Sequence, residues 1–340
     1  MRDWWQPRLT LRTALLLPLA WLFGVLAALR RALYRAGVLR SERLPVPVLV
    51  VGNLTVGGSG KTPLVIALAL AFTERGRHPG VISRGYGAAI EGTREVQVDS
   101  SPAQVGDEPL LIRRSAAACP VFVGRKRVEA GRALLAAYPD TDVIIADDGL
   151  QHYALARDAE VAVFDERGAG NGRLLPAGPL REPLSRMVDA FVLNGNAASP
   201  VPGKDWRMRL APSGLYRLND PARNPAAREF AVEARMSPEF TAAQRPLIAA
   251  VAGIGDPARF FFTLRLLGLK IEEHPFPDHH LYAASDLAAV KAPLIVMTEK
   301  DAIKCAQFRD PRAWVLTVSA DPDAGLVDLL LEIIRGPQTA

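Results

Sequence analysis

Residues 46–75 read VPVLVVGNLTVGGSGKTPLVIALALAFTER, and the organisation of the chain follows from them. The run Val46 to Val51 is short, apolar and valine-rich, as expected of a buried parallel strand. Lys61 to Arg75 is helix-favouring, with Gly76 as its stop signal. Between them lies Gly52 to Thr62, a glycine-rich loop in the strand–loop–helix setting that a phosphate-binding loop requires. Glycines at 57, 58 and 60 let backbone N–H groups turn inward around phosphate oxygens. In this reading Thr55, Val56, Gly57, Gly58, Ser59 and Gly60 form the cradle, Lys61 neutralises the β and γ phosphates, and the Thr62 hydroxyl ligates Mg²⁺. The strict phosphate-loop pattern places glycine where this chain has Thr55.

Moving outward, Val143 to Ala146 and Val161 to Phe164 read as further buried strands, with helix-like Arg125 to Tyr138 before them. This alternation predicts an α/β fold: a P-loop NTPase-type parallel sheet with helices on both faces. Pro, Gly and Asn cluster between Ala197 and Arg228, which predicts a linker. A second, smaller α/β unit is expected after it, with strands at Leu247 to Val251 and Leu294 to Met297 and a helix at Phe260 to Leu267. The expected divisions are 1–40, 41–205 and 206–340. Two cysteines, Cys119 and Cys305, suggest neither a disulfide framework nor a zinc site.

The segment before the core is apolar, since Thr13 to Leu29 carries no charge and is flanked by Arg12, Arg30, Arg31 and Arg35. It is predicted to be a membrane-associated helix that either spans the bilayer or lies in one leaflet; a cleavable signal peptide and a core helix are the rivals. The formal charge of +5 favours anionic partners. Nucleic acid is disfavoured, because the basic residues are dispersed and lack interleaved aromatic platforms.

Asp147 and Asp148 close an apolar strand, the position from which a second strand presents carboxylates to Mg²⁺, and Gln151 and His152 extend that polar tip. The alternative is an acidic pair capping a turn. Arg125, Lys126 and Arg127 form one basic cluster suited to anions, and Arg181 with Glu182 another. Thr298 to Asp301 (TEKD) reads both as a base-reading loop and as a helix capping box.

GNLTVGGSGKTP at 52–63 is similar to the loop of the tetraacyldisaccharide 4'-kinases of lipid A biosynthesis, in which threonine at the departing position is usual. SRGYG at 83–87, VGDEP at 105–109, VGRKR at 123–127, ADDGLQH at 146–152, GRLLPAGPLREP at 172–183, DHH at 278–280 and TEKDAIK at 298–304 resemble that family's blocks, in its order. The resemblance implies transfer of the ATP γ-phosphoryl group, with Mg²⁺, to the 4'-hydroxyl of an acylated glucosamine disaccharide 1-phosphate at the cytoplasmic face of a bacterial inner membrane, with no obligate protein partner. It gives Asp107 the role of base, paired with His279 (His280 being the neighbour that sequence does not separate from it), and makes Glu108 a metal-side carboxylate. It adds Lys61 and Arg181 to the catalytic set, and Arg125, Arg127, His152 and Glu182 to acceptor or phosphate binding. A membrane-attached P-loop switch or metallocentre chaperone is the alternative from another class, though the sequence has no cysteine- or histidine-rich metal tract.

Overall fold

The computed structural model describes residues 5, 6, 8, 10–199, 203, 205–218 and 248–335. Helix α1 (Leu11–Arg35) precedes β1 (Val48–Gly52), α2 (Lys61–Glu74), β2 (Pro79–Ser83), β3 (Thr93–Glu95), α3 (Pro102–Val105), α4 (Asp107–Ser115), β4 (Val121–Gly124) and α5 (Arg127–Ala137). Then come β5 (Val143–Asp147), β6 (Ala159–Phe164), β7 (Ala190–Asn194) and β8 (Asp205–Arg217). After the undescribed stretch 219–247 follow β9 (Ile248–Ala252), α6 (Pro257–Leu266), β10 (Ile271–Pro275), α7 (Ala284–Ala289), β11 (Ile295–Thr298), α8 (Glu299–Cys305), β12 (Ala313–Pro322) and α9 (Ala324–Arg335).

The strands form one sheet in the order β10-β9-β11-β12-β8-β7-β6-β1-β5-β2-β4-β3. All five residues of β1 are buried, and it pairs in parallel with β5 and β6, so both of its faces need apolar side chains. One face is covered by Leu64, Leu68 and Phe72 of α2 together with Leu330 and Leu331 of α9. The other carries Leu134 of α5 with Phe164, Phe191 and Leu180.

The predicted linker is only partly a linker. Strand β8 crosses its first half, running parallel to β7 and antiparallel to β12, and thereby joins the two halves of the sheet. Turn-forming residues hid this strand. Pro212 lies at a register shift opposite Thr317/Val318, where a missing N–H is tolerated. The rest of the proposed linker, 219–228, and Leu247 lie outside the described residues.

Helix α1 stands apart from both cores. Thr10 caps it by accepting from the Thr13 N–H at 3.1 Å, and only Thr13 and Ala20 are buried. Leu15 and Trp21 are each 71% exposed. The core-helix rival is therefore excluded. By length and composition α1 is able to cross a membrane.

Candidate active site

The carboxyl ends of β1, β5 and β7 and the start of β9's following loop converge on a cleft of about 930 Å³, lined from both halves of the molecule. In open parallel sheets this edge is where ligands bind. The phosphate loop forms its floor. Gly57 and Gly60 have φ of +103° and +92°, which only glycine adopts without strain, and a Cβ on Gly60 would lie 2.6 Å from Asn194 Nδ2. Three side chains hold the loop through its carbonyls: Asn53 Nδ2 donates to Gly57 O at 3.0 Å, Arg167 to Gly58 O at 2.9 Å, and Asn194 Nδ2 to Ser59 O at 3.1 Å. With its carbonyls turned outward onto these donors, the loop keeps its N–H groups for an anion. Lys61 follows at the start of α2.

The second-half loop 253–256 closes over this floor. Gly255 sits so near that a Cβ there would lie 3.1 Å from Gly58 N. Arg259 of α6 donates to Asn194 Oδ1 at 2.8 Å, so a three-residue chain runs from α6 through Asn194 to Ser59.

Asp147 is fully buried at the end of β5, receives Ser83 Oγ at 3.3 Å on one oxygen, and has no hydrogen-bond partner on the other among the described residues. Burial, then the nearby Glu108 and Asp148 charges, push its pKa up to about 7 against Lys61 and Arg127. Asp148, at φ 48°, turns the other way: Lys61 Nζ lies 3.6 Å and Arg181 Nη1 3.5 Å from its Oδ1. Burial raises its pKa, but Lys61, Arg181 and Arg127 together bring it below the usual range. Arg127 is buried and donates to the Asp147 and Asp148 carbonyls at 3.1 and 2.7 Å.

Across the cleft, Asp107 begins α4 and is buried, with His279 Nδ1 3.3 Å and Lys300 Nζ 3.8 Å from its Oδ2. Burial raises its pKa, and the His279 contact with the Lys300 charge more than offsets that. The same contact raises His279, against its own partial burial and Lys300. His279 stacks on Tyr86 with ring centroids 5.3 Å apart. His280 faces elsewhere, pairing with Asp286 at 3.0 Å and packing on Phe276 and Tyr282. The geometry thus sets His279, the histidine that the family resemblance assigned, against Asp107 and turns His280 away.

Of the residues singled out by sequence, Gly57 to Thr62, Glu108, Arg125, Arg127, Asp147, Asp148, His152, Arg181 and His279 line the cleft, and Asp107 stands behind Glu108 and His279. Thr55 and Val56 do not line it: Thr55 bridges to Leu180, and the Val56 N–H donates to Pro179 O at 2.9 Å. Glu182 also faces away, buried against Arg186 at 2.9 Å and accepting the Tyr153 hydroxyl. Burial and flanking arginines, Arg127 foremost, bring His152 down to about 4, so it is neutral near pH 7.

TEKD caps its helix and also faces the cleft. Thr298 Oγ1 accepts the Asp301 N–H at 3.2 Å, a cap, while Thr298, Glu299 and Lys300 line the cleft. Lys300 pairs with Glu108 at 3.0 Å as well as approaching Asp107. Sequence reading missed Lys300, Asn194, Arg167, Arg259 and Arg30. Asn194 ends an apolar strand, a usable signal; the others become site residues only through contacts across the fold.

An oxygen donor set fits Mg²⁺: the Thr62 hydroxyl, Asp148, Glu108 and the unpartnered Asp147 oxygen face one cleft. Among the described residues no three carboxylate, histidine or cysteine groups form a ready-made cage, which is the norm for an ion that keeps waters and binds phosphates.

A parallel sheet whose first strand feeds a glycine-rich loop ending in Lys-Thr, with paired aspartates on the adjacent strand, defines a P-loop phosphoryl-transfer protein. The family model described as tetraacyldisaccharide-1-P 4'-kinase matches residues 12–335, and the chain belongs to that family. It is 49% identical over 330 residues to the tetraacyldisaccharide 4'-kinase of Dechloromonas aromatica, covering 96% of this chain and 94% of that one. With the enzyme of the same name from Janthinobacterium sp. (strain Marseille) identity is 50% over 335 residues, covering 97% and 94%. The crystal structure of the Aquifex aeolicus family member, described as an "apo" form in complex with ATP, superposes with a TM-score of 0.77 at 31% identity, covering 95% of this chain and all of that one. The switch or chaperone alternative finds no support in these relatives.

Proposed function

We propose that this chain is a membrane-associated lipid kinase that transfers the ATP γ-phosphoryl group to the 4'-hydroxyl of a tetraacylated glucosamine disaccharide 1-phosphate, giving the 1,4'-bisphosphorylated lipid A precursor. The observation that carries the reading is the pairing, at 3.3 Å, of Asp107 with His279, which lines the cleft whose floor is the phosphate loop. Asp107 opens α4 in the first half of the chain and His279 follows β10 in the second, so the pair depends on the two halves meeting at the cleft.

In this mechanism the triphosphate lies along the N–H groups of Gly57 to Gly60, and Lys61 neutralises its terminal charge. Asp107, held ionised by His279 and Lys300, accepts the proton of the attacking 4'-hydroxyl. His279 holds that carboxylate in place and takes up part of the added charge. Arg181, anchored on Asp148, stabilises the equatorial oxygens of the transferring group. Mg²⁺, when bound by Thr62 with Asp147, Asp148 and Glu108, supplies further charge neutralisation. Arg125 and Arg127 line the cleft on the anion-binding side, and His152 offers a neutral imidazole to the sugar.

An acceptor with four acyl chains stays in the bilayer, so the cleft must meet it at headgroup level. Helix α1 supports this: Leu15, Leu19, Leu22 and Leu26 are exposed, and Arg30 on the same helix lines the cleft. We divide the chain accordingly into a membrane-associated helix (1–40), a P-loop core (41–205) and a C-terminal α/β unit (206–340), working at the cytoplasmic face of the inner membrane. Purified protein with Mg-ATP should pass labelled phosphate to the disaccharide 1-phosphate in detergent micelles. Absence of transfer overturns the reading.

A further inference from the structure

Under the C-terminal end of α1 lies a second cavity, of about 450 Å³. Arg31, Tyr34 and Arg35 of the helix line one side, and Tyr153, Arg157 and Arg186 the other. Arg30, which lines the catalytic cleft, lies beside it, its guanidinium 5.8 Å from the ring centroids of both Tyr34 and Tyr153. The helix therefore serves two pockets, one with Arg30 and one with Arg31 and Arg35.

The cavity has cations to spare. Its acids are engaged within the protein: Glu160 holds Arg157 at 2.9 Å and Arg186 at 2.6 Å, Asp158 holds Arg43 and the Val48 N–H, and Asp189 accepts the Glu160 N–H. Arg31 and Arg35 form no ion pair among the described residues. Arg186 is the second observation. Its side chain is 4% exposed and Nη2 donates to Leu150 O and Glu160, yet Nη1 is buried without a hydrogen-bond partner among the described residues. An incompletely satisfied buried guanidinium, on a residue lining a cavity that also holds two arginines without ion pairs among the described residues, calls for an anionic oxygen.

We propose that this cavity binds the phosphate of an anionic glycerophospholipid. Arginine forks match phosphate oxygens two at a time, and the tyrosine rings suit the boundary between headgroup and acyl chain. Exposed Met187 lines the same cavity and offers an apolar contact for the first methylenes. The inference rests on the membrane-surface reading of α1, whose bare leucines place its basic end at headgroup depth. The site orients the enzyme on the bilayer; it does not hold the acceptor.

The test is co-sedimentation of full-length protein with vesicles of phosphatidylcholine alone and of phosphatidylcholine containing about one fifth phosphatidylglycerol. Arg31→Ala is compared with Arg40→Ala, an exposed arginine outside the cavity that removes the same charge. Diffuse attraction predicts roughly fivefold weaker binding to anionic vesicles for either. A built site predicts a loss of about tenfold or more for Arg31→Ala, well beyond that of Arg40→Ala, with binding to neutral vesicles unchanged. Met187→Glu, which puts a carboxylate at the cavity without removing an arginine, should lower anionic binding in the same way. Equal losses for the two arginine variants overturn the proposal. So does a raised acceptor KM for Arg31→Ala in neutral detergent micelles free of phospholipid, because the cavity would then belong to the acceptor's own phosphate. Wild-type protein that binds neither vesicle overturns instead the membrane reading of α1.

Discussion

Asp107 and His279 concentrate the chemistry at the residue scale. On the proposed mechanism Asp107→Ala removes the general base, and turnover should fall by about 10²–10⁴-fold while the KM for ATP changes little; steady-state kinetics with both substrates checks this. His279→Gln removes the positioning partner and should cost less, since the carboxylate remains. The pair also links stability to pH. His279 is raised in the folded state, so its contribution is full below the ordinary histidine pKa near 6.5 and fades as pH rises through its higher folded value. Asp107 is lowered, so its share is present above the ordinary aspartate pKa of about 3.8 and is lost as pH falls through its folded value. The stability advantage of wild type over His279→Gln, measured by denaturant titration, should therefore be largest near pH 6 and shrink toward pH 9. Glu182 makes the opposite case. Its 2.9 Å pairing with Arg186 is buried on both sides, and Glu182→Ala should destabilise by about 3–5 kcal/mol. Because Glu182 faces away from the cleft, kcat per folded molecule should be nearly retained.

At the scale of elements, the phosphate loop and α1 behave differently for reasons visible in their packing. Loop conformation depends on positive φ and on close approach to Asn194, so Gly60→Ala meets both strain and collision. It should abolish measurable ATP binding by calorimetry while the sheet, judged by circular dichroism, stays folded. The surface of α1 facing away from the protein is constrained by nothing in the two cores. Replacing Leu15 and Leu22 by aspartate should leave thermal stability and ATP affinity intact, yet remove the protein from neutral vesicles in a flotation assay. That the helix would be apolar was plain from an uncharged stretch between arginines. That it would be bare of core contacts was not, since burial is a property of neighbours.

For the whole molecule, β8 is the decisive strand. It hydrogen-bonds to β7 on one side and β12 on the other, making a single sheet of what sequence divided by a linker. The two halves then meet again over the phosphate loop through Gly255 beside Gly58 and through Arg259, Asn194 and Ser59. Cutting that chain with Arg259→Ala leaves the phosphate loop's own residues in place and should raise the KM for ATP about tenfold with a smaller effect on the melting temperature, because an imperfectly held loop must be ordered on binding. Unchanged ATP kinetics would show that the second half contributes nothing to nucleotide affinity.

Local chemistry was legible in the chain from the start. A glycine-rich loop between a valine strand and a helix is a local pattern, in which Lys61 and Thr62 open α2; Asp147 closes β5 with Asp148 next to it, so short-range patterns specify all four positions. The helix cap at Thr298 was readable for the same reason. Tertiary structure alone set His279 rather than His280 against Asp107, turned Glu182, Thr55 and Val56 away from the cleft, brought Lys300 to Glu108 and Asp107, and set Arg30 and Arg31 into separate pockets. Adjacent residues share composition and spacing but point in different directions, and direction is settled only when distant segments pack.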